Sequence, residues 1–114
     1  MHELSIAHSI LSIAEKAAAA NNNGVVTAVG LQIGELSGIE TDSLEFAFSV
    51  IRDGTRLQQA ALNIEMIKGE AQCLDCKHMF PLSNYAVLCP ICSSNAVKIL
   101  KGKEMKVVNI TMED

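Results

Sequence analysis

Apolar residues recur at helical spacing from Leu4 to about Ala20. Leu4, Ala7, Leu11, Ala14 and Ala18 make one stripe, widened by Ile6, Ile10, Ile13 and Ala17, and a 3.6-residue period of this kind predicts an amphipathic helix. Asn21-Asn22-Asn23-Gly24 then ends it, because asparagine and glycine tolerate the left-handed backbone of a helix cap. From Val25 to Ile33 the pattern changes to alternation with β-branched residues, which predicts a strand with Val25, Thr27, Val29, Leu31 and Ile33 on one face. Gly34 to Gly38 reads as a loop. A second helix follows, with Asp42 and Glu45 in capping-box spacing, Leu44, Ala47, Phe48 and Ile51 on its buried side and Gly54 as its cap. Leu62 to Lys68 alternates again, and Leu62, Ile64 and Met66 predict one strongly buried face. Met105 to Met112, with Val107, Val108 and Ile110, reads as a last strand.

Between these strands the pattern stops and four cysteines take over. Cys73, Cys76, Cys89 and Cys92 form C-x2-C-x12-C-x2-C. Each close pair can wrap one knuckle of backbone around a metal, and the intervening segment can form a short hairpin, so the spacing points to structural zinc. Disulfides or a redox-active C-x-x-C are the other readings of the same residues. Catalytic zinc is disfavoured, since four thiolates leave no position for water or substrate. A strand after the cysteine segment suggests an insertion. The predicted class is α+β: a small three-stranded sheet with two helices, formed by residues 1–69 and 104–114, and an inserted four-cysteine ribbon, residues 70–103.

Size and charge narrow the functions. The chain has 114 residues, and removing a metal-folded segment leaves roughly seventy to eighty for a conventional core, near the lower limit for stability from burial alone. The formal charge is −4, which four thiolates and one zinc ion would take two units further, to −6. An acidic chain with one tyrosine, three phenylalanines and no tryptophan lacks the basic, aromatic surface of a nucleic-acid binder. The first twenty residues have no basic leader and carry Glu3, Glu15 and Lys16, unlike a signal peptide. No apolar run approaches the ~18 residues that would span a bilayer. A cytoplasmic protein is expected, with neither nucleic acid nor membrane as partner; reduced, metal-bound cysteines suit that compartment.

The N-terminus supplies a second candidate site. Met1-His2-Glu3 offers the terminal amine, the backbone nitrogen of His2, an imidazole nitrogen and the Glu3 carboxylate. Such a nitrogen-rich set favours Ni(II) or Cu(II), whereas thiolates suit zinc. Alone, this signal is weak, and Glu3 also suits the N-terminus of a helix. His8, on the first helix, reads as a surface or partly buried residue. His78, two positions after Cys76, reads as an exposed ribbon residue. Glu40 precedes the second helix and approaches residue 2 only if its loop folds back there.

Taken together, MHELSIAHSI at the start, VTAVGLQIGELSGIETDSLEFAF in the middle and the four-cysteine segment resemble the HypA/HybF family, nickel metallochaperones of [NiFe]-hydrogenase maturation. The family stretch I-G-x-[FL]-S-x-[IV]-E matches Ile33 to Glu40. The resemblance implies that His2 binds nickel and that Cys73, Cys76, Cys89 and Cys92 bind zinc. It further implies a nickel-delivery role without catalysis, in which Ni(II) held at the N-terminus is passed to a hydrogenase large-subunit precursor with a HypB-like GTPase. A homodimer is left open. The alternatives are a zinc-ribbon interaction adaptor in which His2 plays no part, and a thiol oxidoreductase, which lacks the expected thioredoxin-like context.

Overall fold

The computed structural model describes residues 3–84 and 88–113. In chain order the elements are α1 (Glu3–Ala20), β1 (Val25–Gly34), α2 (Thr41–Ile51), β2 (Ala61–Ile67), β3 (Glu70–Cys73), β4 (Met79–Pro81), β5 (Val97–Lys101) and β6 (Met105–Glu113). They form two three-stranded sheets, ordered β2-β1-β6 and β4-β3-β5. The chain divides into two compact units. One comprises Met1–Leu31, Ile39–Glu65 and Lys106–Asp114; the other comprises Gln32–Gly38 and Met66–Met105. The class is α+β, as the sequence pattern predicts.

In the first unit α1 and α2 pack against each other. The fully buried positions of α1 are Ala7, Ile10, Ala14 and Ala18, whereas Leu4 is exposed and Leu11 only half-buried. The stripe is therefore centred on alanines rather than leucines, because small residues let a neighbouring helix approach closely while long side chains lie at the flanks. The asparagine run ends the helix as expected. Asn22 and Asn23 take φ of 61° and 56°, and the Asn21 and Asn23 N–H groups both donate to the Ala18 carbonyl at 3.0 and 2.8 Å.

The start of α2 differs from the capping-box reading. Its N-cap is Glu40, with no side-chain cap bond, and Asp42 lies within the first turn, where an acid still favours the dipole. The Glu40 N–H instead donates to the Glu3 carboxylate at 3.1 Å, a pairing between residues far apart in sequence. The C-cap is Arg52 rather than Gly54; Gly54 takes the left-handed conformation (φ 75°) in the turn beyond. The strong burial expected of β2 is also absent. Leu62 and Ile64 are half-buried and Met66 is exposed, since β2 is an edge strand. Central β1 buries Val29, Leu31 and Ile33.

The second unit incorporates the segment between β1 and α2. Gly34 N–H donates to the Glu104 carbonyl at 2.8 Å, Glu35 N–H to Ile67 at 2.9 Å and Leu36 N–H to Gly102 at 2.7 Å. Leu36 joins Ala71, Cys73, Phe80, Leu82 and Cys89 in one apolar cluster. Gly34 and Gly102 meet so closely that a Cβ on Gly34 would lie 1.9 Å from the Gly102 carbonyl oxygen.

Two predictions follow from this packing. Gly34→Ala should lower thermal stability by more than about 2 kcal/mol, because the obstructing atom is backbone and cannot rotate away. Phe48→Ala should cost about 3–5 kcal/mol, since Phe48 is fully buried. Phe46→Ala, two residues away but exposed, should stay within about 0.5 kcal/mol. Urea denaturation of the three variants measures all of this.

Candidate metal centre

The two C-x-x-C segments fold into matching knuckles. In the first, the Lys77 N–H donates to the Cys73 carbonyl at 3.0 Å and the Cys73 N–H to the His78 carbonyl at 2.9 Å; in the second, Ser93 donates to Cys89 at 2.9 Å and Cys89 to Ser94 at 2.9 Å. The residue after each second cysteine is left-handed, Lys77 at φ 68° and Ser93 at φ 62°. That conformation, uncommon for residues with a Cβ, turns the chain so that both sulfurs of a pair face the same point. Amide N–H groups also point at sulfur, with Cys76 N–H 3.4 Å from Cys73 Sγ and Ile91 N–H 3.4 Å from Cys89 Sγ.

The four sulfurs converge. Cys73 Sγ lies 3.5 Å from Cys92 Sγ, Cys76 Sγ lies 3.6 Å from Cys89 Sγ, and all four lie within 4.8 Å of one another. A tetrahedron with ~2.3 Å metal–sulfur bonds has edges of about 3.8 Å, so the cluster fits a single tetrahedral ion. It is the one such grouping of metal-ligating side chains among the described residues. None of the four is in a disulfide. Cys73 and Cys89 are buried against Leu36, Phe80 and Leu82, while Cys76 and Cys92 are exposed.

The electrostatics show why these thiols need a cation. The Cys76 N–H, with help from the Asp75 N–H, lowers Cys73 from 9.0 to about 7. Burial resists ionisation of Cys89, but the N–H groups of Cys92 and Ile91 outweigh it and lower that thiol too. Cys92 is pushed up to about 12: the Ser94 N–H favours its thiolate, but the sulfurs of Cys73, Cys76 and Cys89, together with burial, oppose it and win. Cys76 is likewise raised, the help of the His78 N–H being outweighed by burial and by the sulfurs of Cys89 and Cys73. Backbone dipoles thus suit two thiolates, and adding the third and fourth charges requires a positive ion between them.

Sequence reading finds the ligands but misses their outer support. Ser94 Oγ donates to the Asp75 carboxylate and accepts the Ala96 N–H at 3.0 Å, so the two knuckles are joined by side chains; no periodicity marks this pair. Of the other candidates, His2 lies outside the described residues. Glu3 begins α1 and holds the Glu40 N–H. His8 is exposed on α1. His78 is exposed, and its ring stacks on Phe80 with centroids 6.1 Å apart rather than joining the sulfurs.

Comparison with known proteins places this architecture. The family model described as hydrogenase/urease nickel incorporation, metallochaperone, hypA matches residues 1–112. Hydrogenase maturation factor HypA of Parabacteroides distasonis is 44% identical over 113 residues, covering 99% of this chain and 98% of that protein. The Geobacter metallireducens protein of the same name is 37% identical, covering 99% of this chain and 100% of its own length. The solution structure of the Ni metallochaperone HypA from Helicobacter pylori superposes with a TM-score of 0.68 at 31% identity, over 98% of this chain and 97% of that one. With a match across nearly its whole length and the four sulfurs drawn together, the chain belongs to the HypA family of hydrogenase/urease nickel-incorporation metallochaperones.

Proposed function

We propose that this protein binds Ni(II) through its N-terminus, with His2 as the side-chain ligand, and helps to insert it into [NiFe]-hydrogenase. Cys73, Cys76, Cys89 and Cys92 hold a structural zinc ion. The observation that carries the reading is the family match from residue 1 to 112, which spans His2 and all four cysteines. The chemistry of the two donor sets supports it. Thiolates in a closed tetrahedron suit zinc, which then has no open position for exchange. An amine, a backbone nitrogen and an imidazole suit Ni(II) in a tetragonal or square-planar shell. Delivery needs a site that releases its cargo, and the end of a chain suits that better than a closed cage.

Glu3 and Glu40 have a place in this reading. Glu3 follows His2 directly, and its carboxylate ties down the first backbone N–H of α2. Residue 2 is therefore attached to an anchored point, and the carboxylates of Glu3 and Glu40 are candidates to complete the nickel shell. Nickel is cargo and no bond to carbon, nitrogen or oxygen of a substrate is made, so the protein acts without catalysis. Its partners are a hydrogenase large-subunit precursor and a HypB-like GTPase, and it works in the cytoplasm. Among the described residues no helix is long and apolar enough to cross a membrane.

Equilibrium dialysis against Ni(II) tests the nickel site. His2→Ala should weaken binding by well over tenfold, more than about 1.4 kcal/mol, with zinc content and melting temperature nearly unchanged. A tag fused ahead of Met1 should also weaken it, because it removes the free amine, whereas a C-terminal tag should not. Unaltered nickel affinity in His2→Ala would sink this reading and leave a zinc-ribbon interaction module.

Elemental analysis tests the zinc site. Cys89→Ala should lose stoichiometric zinc and the order of the ribbon, since metal binding contributes on the order of 10 kcal/mol to folding such segments. Helical circular dichroism from α1 and α2 should persist. Nickel added to the wild-type protein should leave zinc bound; one zinc released per nickel would show that the cysteines are the nickel site.

A further inference from the structure

Two surfaces take no part in holding either metal. One is the outer face of α2. Phe46 is 72% exposed and Val50, one turn on, is 56% exposed, opposite the buried Leu44 and Phe48. Single exposed apolar residues are ordinary, but this pair shares its face with exposed Asp42 and Glu45, and exposed Asp53 follows in the next turn. The helix contains no lysine or arginine. Arg52, just beyond, is half-buried and donates to the Ala60 carbonyl.

The other surface is the free edge of β5 in the second unit. A cleft of about 300 Å³ is lined by Ile99, Leu100, Lys101, Lys103 and Glu104. Leu100 is 39% exposed. Glu104 turns one carboxylate oxygen to the Gly102 N–H at 2.7 Å. Glu70 opposes Lys101 in the β3–β5 ladder, so Lys98 and Lys103 leave this edge net positive. Any charge on a metal-loaded sulfur cluster lies at the other end of the ladder, where Val97 opposes Cys73. A cavity of ~150 Å³ holds a benzene ring, so this cleft has room for a phenyl side chain.

We propose that the occupant is a second copy of this chain: Phe46 of each copy enters the Ile99–Leu100 cleft of the other, making a reciprocal dimer. Asp42 and Glu45 face Lys101 and Lys103 around the buried ring. The two surfaces complement each other in shape class and in sign, an apolar knob with an acidic rim against an apolar cleft with a basic rim. An anionic lipid or nucleic acid would be repelled by the α2 face. Rim charges of this kind direct encounter and orientation more than they set affinity, and salt screens them over about 8–10 Å near physiological ionic strength. The proposal is independent of nickel binding.

Sedimentation equilibrium on the zinc-loaded, nickel-free protein tests it, over micromolar to near-millimolar concentrations and at low and high salt. The mass should rise from one copy to two and no further, with association weakened by salt. Phe46→Ser, Leu100→Ser and Glu45→Lys should each weaken dimerisation by at least about tenfold. Phe46 and Glu45 are exposed, so zinc content and circular dichroism should be retained. The diagnostic result is a mixture. A Phe46→Ser copy keeps its cleft and a Leu100→Ser copy keeps its phenyl ring, so the mixed pair retains one intact contact and should associate more tightly than either variant alone. A protein that stays monomeric throughout, a mass that grows past two copies, a dimer unaffected by Phe46→Ser, or a mixture no tighter than its components would each overturn the proposal.

Discussion

Four sulfurs within 4.8 Å of one another impose the constraint on which the second half of this molecule depends. Thiolates at such separations repel strongly, and the knuckle amides offset only part of that repulsion, as the opposite displacements of Cys73 and Cys92 show. A divalent ion reverses the sign of the interaction. The segment from β3 to β5 has short strands and a small apolar cluster, too little buried surface to hold itself together without such a bond. Cation binding and folding are therefore one equilibrium here.

Leu36 enlarges that small core from outside the cysteine segment. It belongs by sequence to the stretch between β1 and α2, yet it is buried with Cys73, Phe80, Leu82 and Cys89. Backbone hydrogen bonds from Gly34, Glu35 and Leu36 to Glu104, Ile67 and Gly102 bring the segment into the unit. The glycines there are steric requirements: Gly34 against Gly102, and Gly69 against the Leu82 carbonyl, leave no room for a Cβ. Only Gly102, at φ 117°, also uses the conformational freedom.

The two donor sets differ in a way that suits two roles. Sulfurs carried on knuckles braced by Asp75 and Ser94 are preorganised, and preorganised ligands exchange their metal slowly. At the other donor set, the first described residue, Glu3, is held by one charge-assisted hydrogen bond to the start of α2. A binding group at the end of a chain can rearrange during transfer in a way that a closed cage cannot. Holding a structural ion and handing over a cargo ion make opposite demands on rigidity, and this chain separates them in both chemistry and position along the sequence.

Much of this was legible in the sequence because it is local. Helical and alternating periods marked α1, β1, α2 and β2 to within a few residues, since side-chain direction follows from backbone period. The asparagine run ended α1 where it should, and the cysteine spacing marked the sulfur cluster because a knuckle needs only four consecutive residues. Burial was less legible. That β2 is an edge strand, that α1 packs through alanines, and that Arg52 rather than Gly54 caps α2 depend on neighbours the pattern does not name. Least legible were the Glu3–Glu40 hydrogen bond, the Asp75–Ser94 link and the burial of Leu36 among the cysteines. Each joins residues well separated along the chain, and each forms only when the chain has closed on itself. Sequence alone determined which residues carry the chemistry and which local elements hold them; tertiary structure decided what supports each of them, because support comes from residues that are neighbours in space and strangers in sequence.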